Sequence, residues 1–244
     1  MSLALKLALS PLLVAQALLA RRSVPVLPEP PGPRSGAVGI GPPLRLLVIG
    51  DSSAAGVGVQ RQSQALAGPL ARRVAEATGT RVHWRLLARS GVTSAQAMDL
   101  LRGDGPVHAD IAIVVTGVND VVEQVPSHRA VRAREALTDE LRNRCGVRHV
   151  VFSPLPPVHQ FPGLPRPLRW IAGADARRHD RALAEWVTRR SDVSHADWGL
   201  QLNRGVMAED GFHPGAPAYR QCATMLARHV AEVVWPRLGG THTS

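Results

Sequence analysis

The chain is poor in lysine, aromatics and cysteine, and each shortage removes a class of function. Lys6 is the only lysine among 29 basic residues, so the formal charge of +10 rests on arginines scattered over all 244 positions. Phe, Tyr and Trp make up only 4% of the chain, and no basic stretch is interleaved with rings on which bases could stack. That argues against a nucleic-acid partner. The arginines read as solvated helix faces, with weak attraction to anionic lipid or substrate as the other use of the charge. Cys145 and Cys222 stand alone, outside any CxxC or zinc-like spacing, and whether they pair is left open. No HExxH or clustered ligand set points to a metal. Neither GxxxxGK[ST] nor GxGxxG occurs, so no cofactor is expected.

What is present begins with an apolar leader. Ser2 to Ala20 is broken only by Lys6, Pro11 and Gln16, and Arg21-Arg22 follow. A transmembrane helix needs ~20 apolar residues, which makes this run borderline. An uncleaved helix lying on a membrane surface through residues 2–22 is the expectation, with the cytoplasmic side favoured by the arginines. Export after cleavage is the alternative. Residues 25–43 are rich in proline and glycine and read as a linker or extended strap. The rest divides into one catalytic-size domain over 44–238 and a tail over 239–244.

Within the domain, strands and helices alternate. Strands are expected at Leu44–Ile49, Val82–Leu87, Asp110–Val115, Arg148–Phe152 and Val193–Ala196. Helices are expected at Gln64–Thr78, Thr93–Leu101, Ser127–Leu141, Asp175–Arg190 and Pro217–Val234. Asp110–Val115 is continuously apolar, as a strand buried on both faces would be. This order predicts an α/β fold, three-layer α/β/α, around a parallel sheet of about five strands, with ligands at the carboxyl ends of the strands. The proline-rich stretch Ser153–Trp170 reads either as a pocket wall or lid, in which Phe161 and Trp170 are candidate substrate contacts, or as a rigid surface loop.

Four short motifs fall at those strand ends. Gly50-Asp51-Ser52 follows the first strand and would expose the Ser52 hydroxyl at a tight turn. Gly91 follows the second strand, where its backbone N–H can point into the same crevice. Thr116-Gly117-Val118-Asn119-Asp120 follows the third, and the Asn119 amide is an uncharged donor suited to an oxyanion, worth ~3 kcal/mol in a serine hydrolase. Asp210-Gly211-Phe212-His213 precedes the last helix, and its spacing lets a carboxylate orient an imidazole whose other nitrogen faces Ser52. Asp192-Val193-Ser194-His195 has the same DxxH spacing, but His195 sits in a predicted strand, whereas Gly211, Pro214 and Gly215 shape an exposed loop around His213.

Taken together and in this order, Gly50-Asp51-Ser52, Gly91, Gly117-Val118-Asn119-Asp120 and Asp210 to His213 resemble the blocks of the SGNH hydrolase superfamily, the GDSL-type esterases. The resemblance spans about Leu44 to Val234; Ser53-Ala54 stands where the family's leucine is usual, a position the family varies. It implies a flavodoxin-like sheet and ester hydrolysis through an acyl-enzyme. By the same resemblance the catalytic residues are Ser52, Asp210 and His213, and the oxyanion donors are the Ser52 and Gly91 N–H groups and the Asn119 side chain. The implied substrate is a small ester of short to medium acyl length. A cell-envelope carbohydrate O-acetyl esterase or acetyltransferase, a lysophospholipase or a thioesterase could use the same residues, and a non-catalytic flavodoxin-like module is the reading from outside the enzymes.

Overall fold

The structure is a computed structural model that describes residues 10–16, 19, 25–103, 107–197, 199 and 201–240. Most of the apolar leader, Arg21-Arg22 included, and the last four residues lie outside the described residues. Among the described residues no helix is long and apolar enough to cross a membrane.

Six strands build the sheet: β1 (Ser35–Val38), β2 (Pro43–Gly50), β3 (Arg81–Ala88), β4 (Ile111–Val115), β5 (His149–Phe152) and β6 (Val193–His195). Their spatial order is β1-β3-β2-β4-β5-β6. All neighbours are parallel except β1, which runs antiparallel to β3 along the edge. The helices of the domain are α1 (Ser52–Ala55), α2 (Ala67–Thr78), α3 (Ala97–Gly103), α4 (Val118–Val122), α5 (Ser127–Cys145), α6 (Leu168–Val187) and α7 (Ala216–His229), the last continuing through a π-helical turn over Val230–Val234 into a short helix, α8 (Trp235–Arg237). Residues 10–16 before the domain are also helical.

Alternation along the central strands makes the three layers. Leu46 and Val48 of β2, with Ile111 and Ile113 of β4, pack under α2 and α7 against Leu70, Val74 and Leu226. Leu47, Ile49, Ala112 and Val114 point to the other face, onto Leu137 and Leu141 of α5 and Leu183 and Trp186 of α6. Both faces being covered is why these strands read as unbroken apolar runs. The chain leaves β2 for β3 on one side and then returns past β2 to β4, so the sheet's switch point lies at the carboxyl end of β2.

The structure adds to the sequence reading and shifts it in local detail. The sheet has six strands, and the additional one, β1, lies inside the segment read as linker or strap. Three of its four residues are exposed, so it carries no apolar alternation; backbone pairing to β3 holds it, with Val38 packed against the core. Helix α6 begins at Leu168 instead of Asp175, directly after Pro167 ends the proline-rich stretch. Helix α5 starts at Ser127 as expected but runs on to Cys145, past Leu141. The short helices α1 and α4 are too brief to show a period in sequence.

Candidate active site

The position of Ser52 is set by the end of β2. Gly50 pairs with Ala88 on one side and Val115 on the other, and the Asp51 N–H donates to the Val115 carbonyl at 3.0 Å. The chain then enters α1 with Ser52 as its first residue and Asp51 as its cap, the Asp51 carboxylate accepting the Ser53 N–H at 2.9 Å. The turn is therefore a capped strand-to-helix junction that leaves the serine hydroxyl at the switch point.

His213 reaches the same point from the loop before α7. Asp210 Oδ1 accepts the N–H groups of Phe212 and His213, both at 2.9 Å, which folds the four residues into a tight turn. Asp210 Oδ2 lies 2.6 Å from His213 Nδ1, and His213 Nε2 lies 3.0 Å from Ser52 Oγ. With Nδ1–H donated to the carboxylate, Nε2 is left to accept the serine proton. A bridge between Met207 and Pro214, and an Ala208 N–H bond to the His213 carbonyl at 2.9 Å, brace the loop from its other side. The Tyr219 hydroxyl donates to the Val57 carbonyl at 2.7 Å and ties α7 to the segment following α1.

The two buried aspartates at the site differ in charge balance. Burial by itself would raise the Asp210 carboxyl, but the bond to the His213 ring and the two backbone N–H groups outweigh it and hold it below the usual carboxylate range. Asp51 has fewer compensating bonds, and burial pushes it up to about 7.

Gly91 and Asn119 lie on the segments that follow β3 and β4, whose carboxyl ends flank that of β2. Among the described residues, neither the Ser52 nor the Gly91 N–H has a protein acceptor. Gly91 has φ +83°, a left-handed conformation that costs other residues energy, and a Cβ placed on it would meet nothing within 4 Å. The Asn119 amide nitrogen donates one hydrogen to the Val92 carbonyl at 2.9 Å, and its second has no acceptor among the described residues. Beneath these groups lies a network not anticipated from sequence. Asp120 accepts the Ser94 N–H at 3.1 Å and the Ser94 hydroxyl at 2.5 Å, and faces Arg134 of α5 at 3.3 Å. The Asp of Gly117-Val118-Asn119-Asp120 was a signal for it; an arginine fourteen positions on, in a helix rich in arginines, was not. Glu29 of the strap also went unread: it accepts the Ser90 N–H at 2.7 Å and so braces the turn that carries Gly91.

Next to Ser52 and His213 runs an apolar crevice whose walls include Leu66, Val115, Phe161, Met207, Phe212 and Leu226. Phe161 is buried and stacks edge-on against Phe212 at 5.2 Å, which in turn stacks against the His213 ring at 5.2 Å. Trp170 stands apart from this wall: it is 53% exposed on the first turn of α6, with the Arg166 guanidinium over its ring at 5.3 Å. The second DxxH stretch is not assembled as a pair. Asp192 binds Arg190 at 2.8 Å, while His195 meets Asp180 at 3.0 Å, and Ser194 between them is buried against His149 and His229. No group of side chains able to hold a metal ion occurs among the described residues.

The sequence pattern of the GDSL-like lipase/acylhydrolase family matches residues 48–221. A GDSL-like esterase of Mycobacterium tuberculosis is 30% identical over 237 residues, covering 88% of this chain and 74% of that protein. The fold is similar to that of a family two carbohydrate esterase from Clostridium thermocellum, with a TM-score of 0.61 at 16% identity over 81% of this chain. This chain spans 65% of the length of that esterase. An acetylxylan esterase from Geobacillus stearothermophilus gives a TM-score of 0.60 at 15% identity, over 79% of this chain and 96% of its own. At such identities these two structures speak to the fold alone.

Proposed function

This chain belongs to the GDSL-like lipase/acylhydrolase family, and from that premise we propose that it is a serine carboxylester hydrolase working through an acyl-enzyme. The observation that carries the proposal is the continuous hydrogen-bonded chain Ser52 Oγ to His213 Nε2 at 3.0 Å and His213 Nδ1 to Asp210 Oδ2 at 2.6 Å. In the proposed reaction, Ser52 Oγ attacks the ester carbonyl as His213 Nε2 takes its proton. The carbonyl oxygen gains the negative charge and is received by the Ser52 and Gly91 N–H groups and the free amide hydrogen of Asn119. Collapse of the tetrahedral intermediate breaks the bond to the alcohol, which leaves with the proton from His213. Water then adds to the acyl-enzyme by the same route, its proton passing through His213 back to Ser52 Oγ. Asp210 keeps the ring in the productive tautomer and offsets its transient charge.

The apolar crevice beside Ser52 supports an acyl group of short to medium length. A p-nitrophenyl ester series from acetate to laurate tests this, with activity expected to peak between the ends. Activity confined to acetate would move the reading to the O-acetyl group of a carbohydrate. Absence of hydrolysis across the series, with Ser52 also unlabelled by a fluorophosphonate, would sink the hydrolase proposal. We extend the proposal to contact with an anionic membrane surface through the N-terminal segment, which the exposed side chains of Leu12, Val14 and Leu19 support. Co-sedimentation with phosphatidylglycerol vesicles, lost when residues 1–24 are removed, is the expected result; equal sedimentation of both forms contradicts it.

A further inference from the structure

Arg134 is the largest fully buried side chain among the described residues, at 0% exposure, and it sits at an odd place for a charge. Its Nη2 donates to the Thr116 carbonyl at 3.2 Å and faces Asp120 Oδ2 at 3.3 Å. Its Nε and Nη1 are buried with no partner among the described residues. A guanidinium taken out of water with two nitrogens unmet is a poor means of gaining stability, since an apolar side chain of like volume at such a place is often neutral or better. The contacts it does make all converge on one turn. Thr116 and Asp120 bracket Gly117, Val118 and Asn119. Gly117 has φ +134°, and a Cβ there would come within 2.6 Å of Arg134 Nη2, so the turn is shaped around the guanidinium. Asp120 in turn holds Ser94 by its N–H and its hydroxyl, and the Ser94 hydroxyl lies 3.0 Å from the Thr116 hydroxyl. Ser94 belongs to the loop whose Val92 carbonyl fixes the Asn119 amide.

We propose that Arg134 is the positioning residue of the oxyanion site: it holds the 116–120 turn and the 92–94 loop in register so that the second amide hydrogen of Asn119 points at the reacting carbonyl oxygen. This rests on the ester hydrolase reading, in which Asn119 is the side-chain donor. Arg134 touches neither substrate nor Ser52; it acts through Thr116, Asp120 and Ser94. The donor matters only when charge develops on the oxygen, so its displacement lowers kcat and leaves KM nearly unchanged.

The test is a cycle between Arg134→Lys and Asn119→Ala in the full chain, read as kcat and KM on the best p-nitrophenyl ester. Lysine keeps the charge opposite Asp120 but cannot hold Asp120 and the Thr116 carbonyl with the same planar geometry. The expected result is a fall in kcat of about 10- to 100-fold, KM within about twofold, and no further fall when Arg134→Lys is added to Asn119→Ala. The Asn119 side-chain amide resonances shift in Arg134→Lys. The paired variant Arg134→Met with Asp120→Asn, which buries no charge, is expected to fold and to show the same kcat loss; it takes the place of Arg134→Lys if lysine is not tolerated. A kcat within twofold of wild type, or a loss that multiplies with that of Asn119→Ala, overturns the inference. An inactive wild type sinks the hydrolase reading instead, and unmoved Asn119 amide resonances then overturn the positioning inference on their own.

Discussion

Asp51 and Asp210 are buried to the same degree, 3% exposed each, yet they are driven in opposite directions, and that contrast is testable. The folded Asp51 carboxyl is raised from 3.8 to about 7. The stability it contributes is therefore fully present below the unfolded value and is lost as pH rises through about 7. Between pH 5 and pH 8 the wild type should lose roughly 3 kcal/mol from this group, at about 1.4 kcal/mol per pH unit up to about 7 and little more above it. Asp51→Asn removes that slope while keeping a side chain able to cap α1, and urea midpoints at the two pH values compare them. Asp210→Asn acts on chemistry instead: it disfavours the productive His213 tautomer and should lower kcat by ~10⁴-fold with the fold intact by circular dichroism. Both aspartates belong to motifs plain in the sequence. Their opposite balance is not, because it depends on burial that dominates at Asp51 and on the His213 ring and the backbone N–H groups that the fold delivers to Asp210.

At the scale of elements, the strands of the buried sheet and the loops that follow them were legible because apolar continuity and glycine positions are local signals. β1 was not, since an exposed edge strand of four residues leaves no pattern to read. The start of α6 was misplaced for a related reason: the prolines up to Pro167 hide a helix that begins immediately after them. That shift separates the two aromatic residues nominated as substrate contacts. Phe161 remains in the wall beside Phe212, whereas Trp170 rides on the outer side of the first helical turn. Phe161→Ala should cost about 3 kcal/mol and alter the preferred acyl length. Trp170→Ala should stay within about 0.5 kcal/mol of wild type and leave the chain-length profile unchanged. Thermal melts and the ester series distinguish the two, and a changed profile in Trp170→Ala would return that ring to the substrate path.

For the whole molecule, the doubly wound topology explains why residues distant in sequence meet: β2 ends at Ser52, the loop before α7 brings His213 and Asp210 to it, and β3 and β4 end beside β2 at the segments that carry Gly91 and Asn119. The order of the motifs in sequence made that meeting legible; the buried Arg134 beneath it was not, because nothing local distinguishes it from the surface arginines around it. The topology also decides what the sequence left open about the cysteines. Cys145 packs in the core layer under α5 and α6, and Cys222 in the layer under α2 and α7, on opposite faces of the sheet. Both should titrate as free thiols after denaturation without reductant, and dithiothreitol should leave the melting temperature unchanged.

The most direct measurement is steady-state hydrolysis of a medium-chain p-nitrophenyl ester by wild type, Ser52→Ala, His213→Ala and His195→Ala. Turnover by wild type and His195→Ala, with loss of at least about 10³-fold in the other two, is the predicted result. Retained turnover in Ser52→Ala or His213→Ala, or a comparable loss in His195→Ala by a protein that still folds, would contradict the assignment of the nucleophile and its base.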